Sequence, residues 1–190
     1  MEGGTEVKWI KHYSSSHKIL LVGEGDFSFS TCLARAFGTA RNMVATSLDS
    51  EPTILHYYSN GRRNLDELKS QGCTVMYSID ATKMAQDSNL LQHKFDRIVF
   101  NFPYEQLFFE NAKKLIVVNG EILVTHKTNS FHCEWDLQGL ASSSGLRLIE
   151  QAGFMLSDYP GYDIKYGFNY THMDSSFECQ PSSTFKFGHA

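Results

Sequence analysis

The sequence predicts an α/β fold, a Rossmann-like, mostly parallel sheet that ends in an antiparallel hairpin. Two observations lead to this prediction. First, five short apolar runs rich in β-branched residues alternate with helical stretches, which is the pattern of a parallel sheet covered on both faces. Second, residues 146–190 break the alternation, because they contain two further strand candidates joined by a long aromatic connection.

The alternating elements follow one another along the first two thirds of the chain. Ser-Asn-Gly at residues 59–61 predicts a break that splits the second helical stretch in two. Residues 146–170 and 182–190 supply the final hairpin, with 184–187 as its edge strand. The predicted strands lie at residues 18–23, 42–49, 73–80, 96–102 and 121–127, and the helical stretches at 28–38, 51–72, 81–94 and 104–120.

Composition and charge exclude several classes of protein. A chain of 190 residues with 42% hydrophobic content is long enough for one substantial core. The net charge of −4 gives no global basic field, so a nucleic-acid role would need local patches or a partner. Four scattered cysteines without zinc-finger spacing predict free thiols and no metal site. No apolar run is long enough for a signal peptide or a membrane span, which predicts a soluble intracellular protein with no membrane partner.

A glycine-rich turn, Gly23-Glu24-Gly25-Asp26, follows the first predicted strand. It lacks the lysine and spacing of a P-loop, and Ser28 stands where a dinucleotide-binding turn has its third glycine. Its two carboxylates would repel a pyrophosphate but suit the ammonium and sulfonium charges of S-adenosylmethionine. The turn therefore favours a cationic ligand.

Two further carboxylates end the next two predicted strands. Asp49 lies where an acidic side chain can accept hydrogen bonds from ribose hydroxyls, and Asp80 lies where an adenine amino group would be read. The alternative is that both aspartates cap the helices that follow them. Together with the acidic turn and the hairpin ending, which is typical of methyltransferases, they favour binding of S-adenosylmethionine.

The fourth predicted strand ends in Asn101-Phe102-Pro103-Tyr104. This is a partial match to the Asp/Asn/Ser-Pro-Pro-Tyr/Phe signature of methyltransferases that act on planar nitrogen, with Phe102 in place of the first proline. It indicates a flat heterocycle as methyl acceptor, which would have to be flipped out of structured nucleic acid. The alternative is that Pro103 ends the strand and Phe102 belongs to the core.

These segments together resemble the large-subunit ribosomal RNA (uridine-N3) methyltransferase family, whose domain also occurs in an animal protein that carries a ferredoxin-fold anticodon-binding module. The resemblance covers roughly residues 18–187 and is strongest in "GEGDFSFS" and "FDRIVFNFP". It rests on "LVGEGDFSFS", "ATSLDS", "DAT", "FDRIVFNFP", "GEILVTHKT", "YPGY" and "FKF", which occur in this order.

The resemblance implies a class I S-adenosylmethionine-dependent methyltransferase domain at residues 18–190, preceded by an N-terminal extension at 1–17, that methylates N3 of a uridine in ribosomal RNA or a pre-ribosomal particle. A monomer is favoured, and such a substrate implies the nucleus or nucleolus, with the cytoplasm as the alternative. The implied cofactor-binding residues are Gly23, Glu24, Gly25, Asp26, Phe27, Ser28, Asp49 and Asp80; the catalytic candidates are Asn101, Pro103, His126 and Lys127; and the substrate-binding candidates are Phe102, Tyr104, Tyr162 and Lys165. Tyr162 and Lys165 belong to the tyrosine-rich stretch at residues 159–170, which either lines the acceptor pocket or packs beneath the final hairpin. In the catalytic set, His126 is the candidate base and Lys127 the candidate stabiliser of a negative uracil oxygen, with a phosphate or backbone contact as the alternative role for both.

The sequence departs from the family just after Pro103. Family members continue with a histidine, a glycine and a long polar loop, whereas this chain has Tyr104 and only residues 105–107 before the next helix. This segment covers the acceptor pocket in such folds, so its loss would weaken the grip on the substrate more than cofactor binding. Three alternatives remain open: an active RNA methyltransferase, a catalytically impaired or non-catalytic binding module, and a methyltransferase for a small heterocycle.

Overall fold

The computed structural model of the protein describes residues 6–103, 108–129, 136–167 and 170–190. Its centre is a seven-stranded sheet with strand order β5-β4-β3-β6-β7-β9-β8, in which β3 to β7 run parallel and β9 runs antiparallel between β7 and β8. The predicted α/β fold with its antiparallel hairpin is therefore confirmed. The prediction that residues 184–187 form the edge strand is wrong, because β9 pairs with both β7 and β8 and its Phe187 is fully buried, so β8 is the edge strand. The strands of the sheet are β3 (Ile19–Val22), β4 (Met43–Thr46), β5 (Thr74–Met76), β6 (Phe95–Asn101), β7 (Ile116–Lys127), β8 (Leu146–Gly153) and β9 (Ser182–His189).

A small hairpin of β1 (Trp9–Ile10) and β2 (Tyr13–Ser14) precedes the sheet. Tyr13 is only 1% exposed, and its ring packs edge-on against Phe29 at a centroid distance of 5.8 Å. The hairpin therefore packs on the core of the domain through Tyr13, while the division of the chain at residue 17 stays a prediction.

The described helices follow the strands as crossover connections. The predicted split of the second helical stretch is confirmed, because α2 ends at Tyr57 and α3 begins at Gly61. No helix in the described ranges is long and apolar enough to cross a membrane. The helices are α1 (Ser28–Phe37), α2 (Glu51–Tyr57), α3 (Gly61–Ser70), α4 (Ser88–Leu91), α5 (Phe108–Leu115) and α6 (Leu137–Ser143), with 3-10 turns at Met84–Gln86 and Leu156–Asp158.

Two predicted helical stretches are wrong in extent. Residues 81–94 form only a 3-10 turn and the four-residue helix α4, because the Asp87 side chain caps a new start inside the stretch. Within 104–120 the described helix stops at Leu115, and the β-branched run from Ile116 to Val118 begins β7 instead. Helix α6 was not predicted from the sequence at all.

Two apolar layers cover the sheet. One contains α1, α3 and the connection between β8 and β9, with Leu33, Leu68 and Tyr159 among its buried residues. The other contains α5 and α6, with Phe109 and Ala141 among its buried residues. Because β3 lies between β4 and β6, chain connections diverge to either side of it, and the carboxyl ends of these three strands meet at the switch point where open α/β sheets bind ligands.

Candidate active site

A cavity of about 300 Å³ opens at the carboxyl ends of β3, β4 and β6. The structure brings together ten of the residues that the sequence predicted for the site. Those ten are Gly23, Glu24, Gly25, Asp26, Asp49, Asn101, Phe102, Pro103, Tyr162 and Lys165. The cavity is therefore the candidate active site.

The acidic turn has a tightly packed backbone that requires glycine at its first position. Gly23 has φ +67°, and a Cβ on it would lie 2.4 Å from Cε2 of Phe100, so only glycine fits. The Glu24 carboxylate accepts hydrogen bonds from the Ser30 N–H at 3.1 Å and the Ser30 hydroxyl at 2.7 Å. Burial nevertheless raises the pKa of Glu24 to about 7, because desolvation outweighs these two bonds. The turn thus holds a carboxylate that a cationic ligand would stabilise.

Asp26 is 3% exposed and holds the start of α1 with one oxygen only. Its Oδ1 accepts a hydrogen bond from the Ser28 N–H at 2.9 Å, while its Oδ2 is buried without a hydrogen-bond partner in the described part of the chain. Burial raises the pKa of Asp26, and the nearby Lys165 ammonium opposes that rise. A buried carboxylate oxygen without a partner is costly unless a ligand supplies one.

Asp49 at the end of β4 faces Tyr58, which sequence reasoning missed. Tyr58 follows α2 directly, lines the cavity and is 2% exposed. Burial raises the pKa of Asp49, and its interaction with the Tyr58 hydroxyl opposes that rise. The hydroxyl is close enough to Asp49 for this effect but has no partner that satisfies hydrogen-bond geometry among the described residues.

Asn101 ends β6 on the far side of the cavity. Both its Oδ1 and its Nδ2 are buried, and neither has a partner of hydrogen-bond geometry within the described ranges. The Tyr162 hydroxyl interacts with this amide, which lowers the pKa of Tyr162, but burial is the larger cause and raises the pKa overall. The cavity therefore presents an amide with an unused acceptor and an unused donor.

An aromatic wall stands beside Asn101. Phe102 takes φ +52°, a conformation that non-glycine residues rarely adopt, and its N–H donates to the Thr125 carbonyl at 2.7 Å. Its ring packs edge-on against Phe154 at 5.8 Å and against Phe177 at 5.4 Å. Phe177 also lines the cavity, so this wall can lie against a flat ring.

The connection between β8 and β9 closes the outer side of the cavity. The Lys165 side chain is only 7% exposed and forms ion pairs with Asp163 at 2.7 Å and Asp174 at 3.0 Å. Asp174 in turn accepts a hydrogen bond from the Ser59 N–H at 3.2 Å, which ties the connection to the break between α2 and α3. Lys165 thus lines the cavity with its ammonium already held by two carboxylates.

Several predicted site residues do not line the cavity. Phe27 is fully buried in the core, and Ser28 fixes Asp163 by donating to its carbonyl at 3.1 Å and accepting from its N–H at 3.0 Å. Asp80 accepts hydrogen bonds from the Thr82 N–H and hydroxyl at 2.9 and 2.7 Å, as a cap does.

His126 and Lys127, two of the predicted catalytic residues, lie at the end of β7 and do not line the cavity with Asn101. Thr125 is the register partner of Asn101, so His126, one residue further, projects from the opposite face of the sheet. The Lys127 ammonium lies 4.9 Å from the centre of the Phe177 ring, next to a residue of the aromatic wall but outside the cavity lining. Tyr104 falls outside the described residues.

The described residues contain no group of three or more His, Cys, Asp or Glu side chains that could hold a metal ion. Cys32, Cys73 and Cys179 are free and buried, and burial raises the pKa of each thiol.

The chain is similar to known proteins over most of its length. A family model described as BMT5-like, rRNA (uridine-N3-)-methyltransferase BTM5-like, matches residues 20–166, more than half of the chain. The Arabidopsis thaliana protein named Uncharacterized protein At4g26485 is 42% identical over 201 positions, which cover 95% of this chain and 96% of that protein. The human ferredoxin-fold anticodon-binding domain-containing protein 1 is 27% identical over 187 positions, which cover 86% of this chain but only 29% of that protein.

Solved structures share the fold at low sequence identity. The glycopeptide N-methyltransferase MtfA, complexed with S-adenosyl-L-methionine, aligns with a TM-score of 0.61 at 10% identity, over 95% of this chain and 90% of its own. The ribosomal protein L11 methylase of Lactobacillus delbrueckii subsp. bulgaricus aligns with a TM-score of 0.56 at 10% identity, over 91% of this chain and 70% of its own. These likenesses confirm the predicted methyltransferase version of the Rossmann-like fold.

Proposed function

Because the chain belongs to the BMT5-like family of rRNA (uridine-N3-)-methyltransferases, we propose that it transfers the methyl group of S-adenosylmethionine to N3 of a uridine in large-subunit ribosomal RNA. Family and fold make it an S-adenosylmethionine-dependent methyltransferase. The proposal concerns the acceptor: the RNA, the base and the nitrogen atom.

The observation that carries the proposal is the unpartnered amide of Asn101. The imide edge of uracil presents an N3–H donor flanked by carbonyl acceptors, and a primary amide presents the complementary acceptor and donor. Both amide atoms of Asn101 are buried at the cavity without hydrogen-bond partners in the described part of the chain. We therefore assign to Asn101 the orientation of the uracil edge: its Nδ2 donates to one of the flanking carbonyls, so that N3 faces the methyl group of the cofactor. The N3 proton leaves to solvent water as the N3–C bond forms and the bond between sulfur and the methyl carbon breaks.

The cofactor end of the cavity is strongly acidic. S-adenosylmethionine, when bound, supplies a methyl group on a positively charged sulfur. Glu24, Asp26 and Asp49 line the cavity, and the unpartnered Oδ2 of Asp26 is suited to the ammonium group of the methionine part. These carboxylates favour a cationic donor over its neutral product, which helps the site to exchange product for fresh donor.

The acceptor end is aromatic and shielded. Phe102 and Phe177 form the wall against which a uracil ring can stack, and Asn101 holds its edge. A carboxylate-lined cavity repels phosphates, so the target base must enter alone while its backbone stays outside, as in base flipping.

We further propose that this reaction takes place during ribosome assembly in the nucleus or nucleolus.

The test uses purified protein, S-adenosylmethionine with a deuterated methyl group, and large-subunit ribosomal RNA, followed by nucleoside mass spectrometry. We expect deuterated 3-methyluridine from the wild type and at least a hundredfold less from Asn101→Ala, with cofactor affinity retained within about threefold. Asn101→Asp is the matched variant, since it keeps the shape of the side chain but replaces the donor with a second acceptor. Methylation by Asn101→Ala at the wild-type rate would remove the basis of the proposal, and a label on another atom would reassign the acceptor.

One observation favours a second candidate, a non-catalytic relative that binds the cofactor. The alignment with the At4g26485 protein runs over 201 positions, although 95% of this 190-residue chain is only about 181 residues, so that relative carries about 20 residues without a counterpart here. The sequence has only residues 104–107 between Pro103 and Phe108, where the family has a long polar loop over the acceptor pocket, so this chain can bind the cofactor and still hold the acceptor poorly. Cofactor binding without any methylated product in the same experiment would support this candidate.

A further inference from the structure

Tyr58 lines the cavity but was not among the site residues predicted from the sequence. It lies directly after α2, and its side chain is 2% exposed while its hydroxyl has no hydrogen-bond partner among the described residues. A buried hydroxyl without a hydrogen-bond partner destabilises the fold. Such a group at a cavity is therefore a candidate for a hydrogen bond to a bound ligand.

Two glycines leave room for this hydroxyl. A Cβ on Gly25, in the acidic turn, would lie 3.3 Å from the Tyr58 oxygen, and a Cβ on Gly167 would lie 3.5 Å from it. Gly167 belongs to the connection that closes the cavity, and both glycines line that cavity. The hydroxyl is therefore located between the acidic turn and the closing connection, at the end of the cavity where the cofactor is proposed to bind.

The charges around Tyr58 keep its hydroxyl protonated. Burial raises the pKa of Tyr58, and the carboxylates of Asp49, Asp26 and Asp174 raise it further. A phenol in this setting donates a hydrogen bond, whereas the neighbouring Asp49 carboxylate accepts one. The two side chains thus form an adjacent donor and acceptor at the end of β4.

We propose that Tyr58 and Asp49 together recognise the ribose of the bound nucleoside. Each hydroxyl of a ribose diol has a proton to donate and an oxygen to accept with, so Asp49 accepts from the diol while the Tyr58 hydroxyl donates to one of its oxygens. This inference rests on the proposed function, since it assumes that the cavity binds S-adenosylmethionine. It makes Tyr58 a residue that selects ribose over deoxyribose ligands.

The first experiment measures cofactor affinity by isothermal titration. Tyr58→Phe should bind S-adenosylmethionine about tenfold more weakly than the wild type, as expected for one lost hydrogen bond. Tyr57→Phe is the matched control, because the Tyr57 ring packs at a tilt against Tyr170 at a centroid distance of 5.1 Å, outside the cavity lining. The affinity of this variant for S-adenosylmethionine should stay within about twofold of the wild type. Wild-type protein that binds no S-adenosylmethionine would overturn both the proposed function and this inference, whereas equal binding by wild type and Tyr58→Phe would overturn this inference alone.

The second experiment separates ligand recognition from a structural role. Without ligand, Tyr58→Phe should melt at the same temperature as the wild type or higher, because it removes a buried hydroxyl that lacks a partner. In competition against S-adenosylhomocysteine, the wild type should prefer adenosine to 2′-deoxyadenosine or 3′-deoxyadenosine, and Tyr58→Phe should lose part of the preference against one of them. A lower melting temperature together with an unchanged sugar preference would mean that Tyr58 only supports the fold, and would overturn the proposal.

Discussion

Glu24 makes the stability of the free protein depend on pH in a way that one substitution can isolate. Burial raises the pKa of Glu24 from 4.5 to about 7, so the folded protein holds a proton there that the unfolded chain has released. The resulting stabilisation is fully present below pH 4.5 and is lost as the pH rises through 7. Between pH 6 and pH 8 the loss amounts to about 1.4 kcal/mol, and between pH 5 and pH 8 to about 2.5 kcal/mol. Because Glu24 is only partly buried, solvent screening brings the measured loss below these values.

Glu24→Gln removes this titration while keeping the shape of the side chain. We expect the free energy of unfolding of the wild type to fall relative to that of the variant by about 1 kcal/mol from pH 6 to pH 8, as measured by urea denaturation of the ligand-free proteins. Taking the difference cancels the titration of the histidines and of other distant groups. Parallel stability curves for the two proteins over this range would refute the reasoning that the turn holds a desolvated carboxylate.

Two further predictions concern the backbone of the turn and the end of β7. Gly23→Ala should lower the free energy of unfolding by about 2 kcal/mol or more, since the added Cβ would lie 2.4 Å from the Phe100 ring at φ +67°. Gly153→Ala is the control, because no atom lies within 4 Å of its added carbon, and in the same urea denaturation experiment its free energy of unfolding should stay within about 0.5 kcal/mol of the wild type. His126→Gln should keep methyl transfer within about threefold of wild type in a single-turnover assay, because His126 projects from the sheet face opposite Asn101; a hundredfold loss with cofactor binding intact would restore it as the base.

The parts of the site that the sequence predicted are local ones. A buried strand followed by Gly23-Glu24-Gly25-Asp26 determines its own turn, and a parallel sheet brings its carboxyl ends to one edge. For these reasons the residue pattern alone was enough to place the acidic turn, Asp49 and Asn101 at one cavity. The strand order at the end of the sheet did not follow from the sequence pattern, because residues 184–187 were expected at the edge, whereas β9 lies between β7 and β8.

The parts that the sequence could not predict depend on contacts between distant residues or on register. The hydrogen bond from the Ser59 N–H to the Asp174 carboxylate joins residues 115 positions apart and leaves no local pattern. Asp80 accepts a hydrogen bond from the nearby Thr82 N–H. An aspartate at the end of a strand is expected both for such a cap and for a ligand contact, so the sequence alone does not separate the two roles. Thr125 is the register partner of Asn101, so His126, one residue further along β7, projects from the opposite face of the sheet.

Tyr58 shows how much such non-local contacts matter. The sequence "HYYSNG" predicted the break between α2 and α3, but nothing in it indicates which of its two tyrosines faces the cavity. Tyr58 faces the cavity because Gly25 and Gly167, which are 142 residues apart, have no side chains and leave room for its hydroxyl.

The most direct measurement of the central claim is nucleoside mass spectrometry of large-subunit ribosomal RNA from cells that lack this protein. In those cells we expect 3-methyluridine to fall at one or more positions, to return when the wild-type chain is restored, and not to return with Asn101→Ala. An unchanged amount of 3-methyluridine at every position of that RNA, in cells without a second family member, would refute the proposed function.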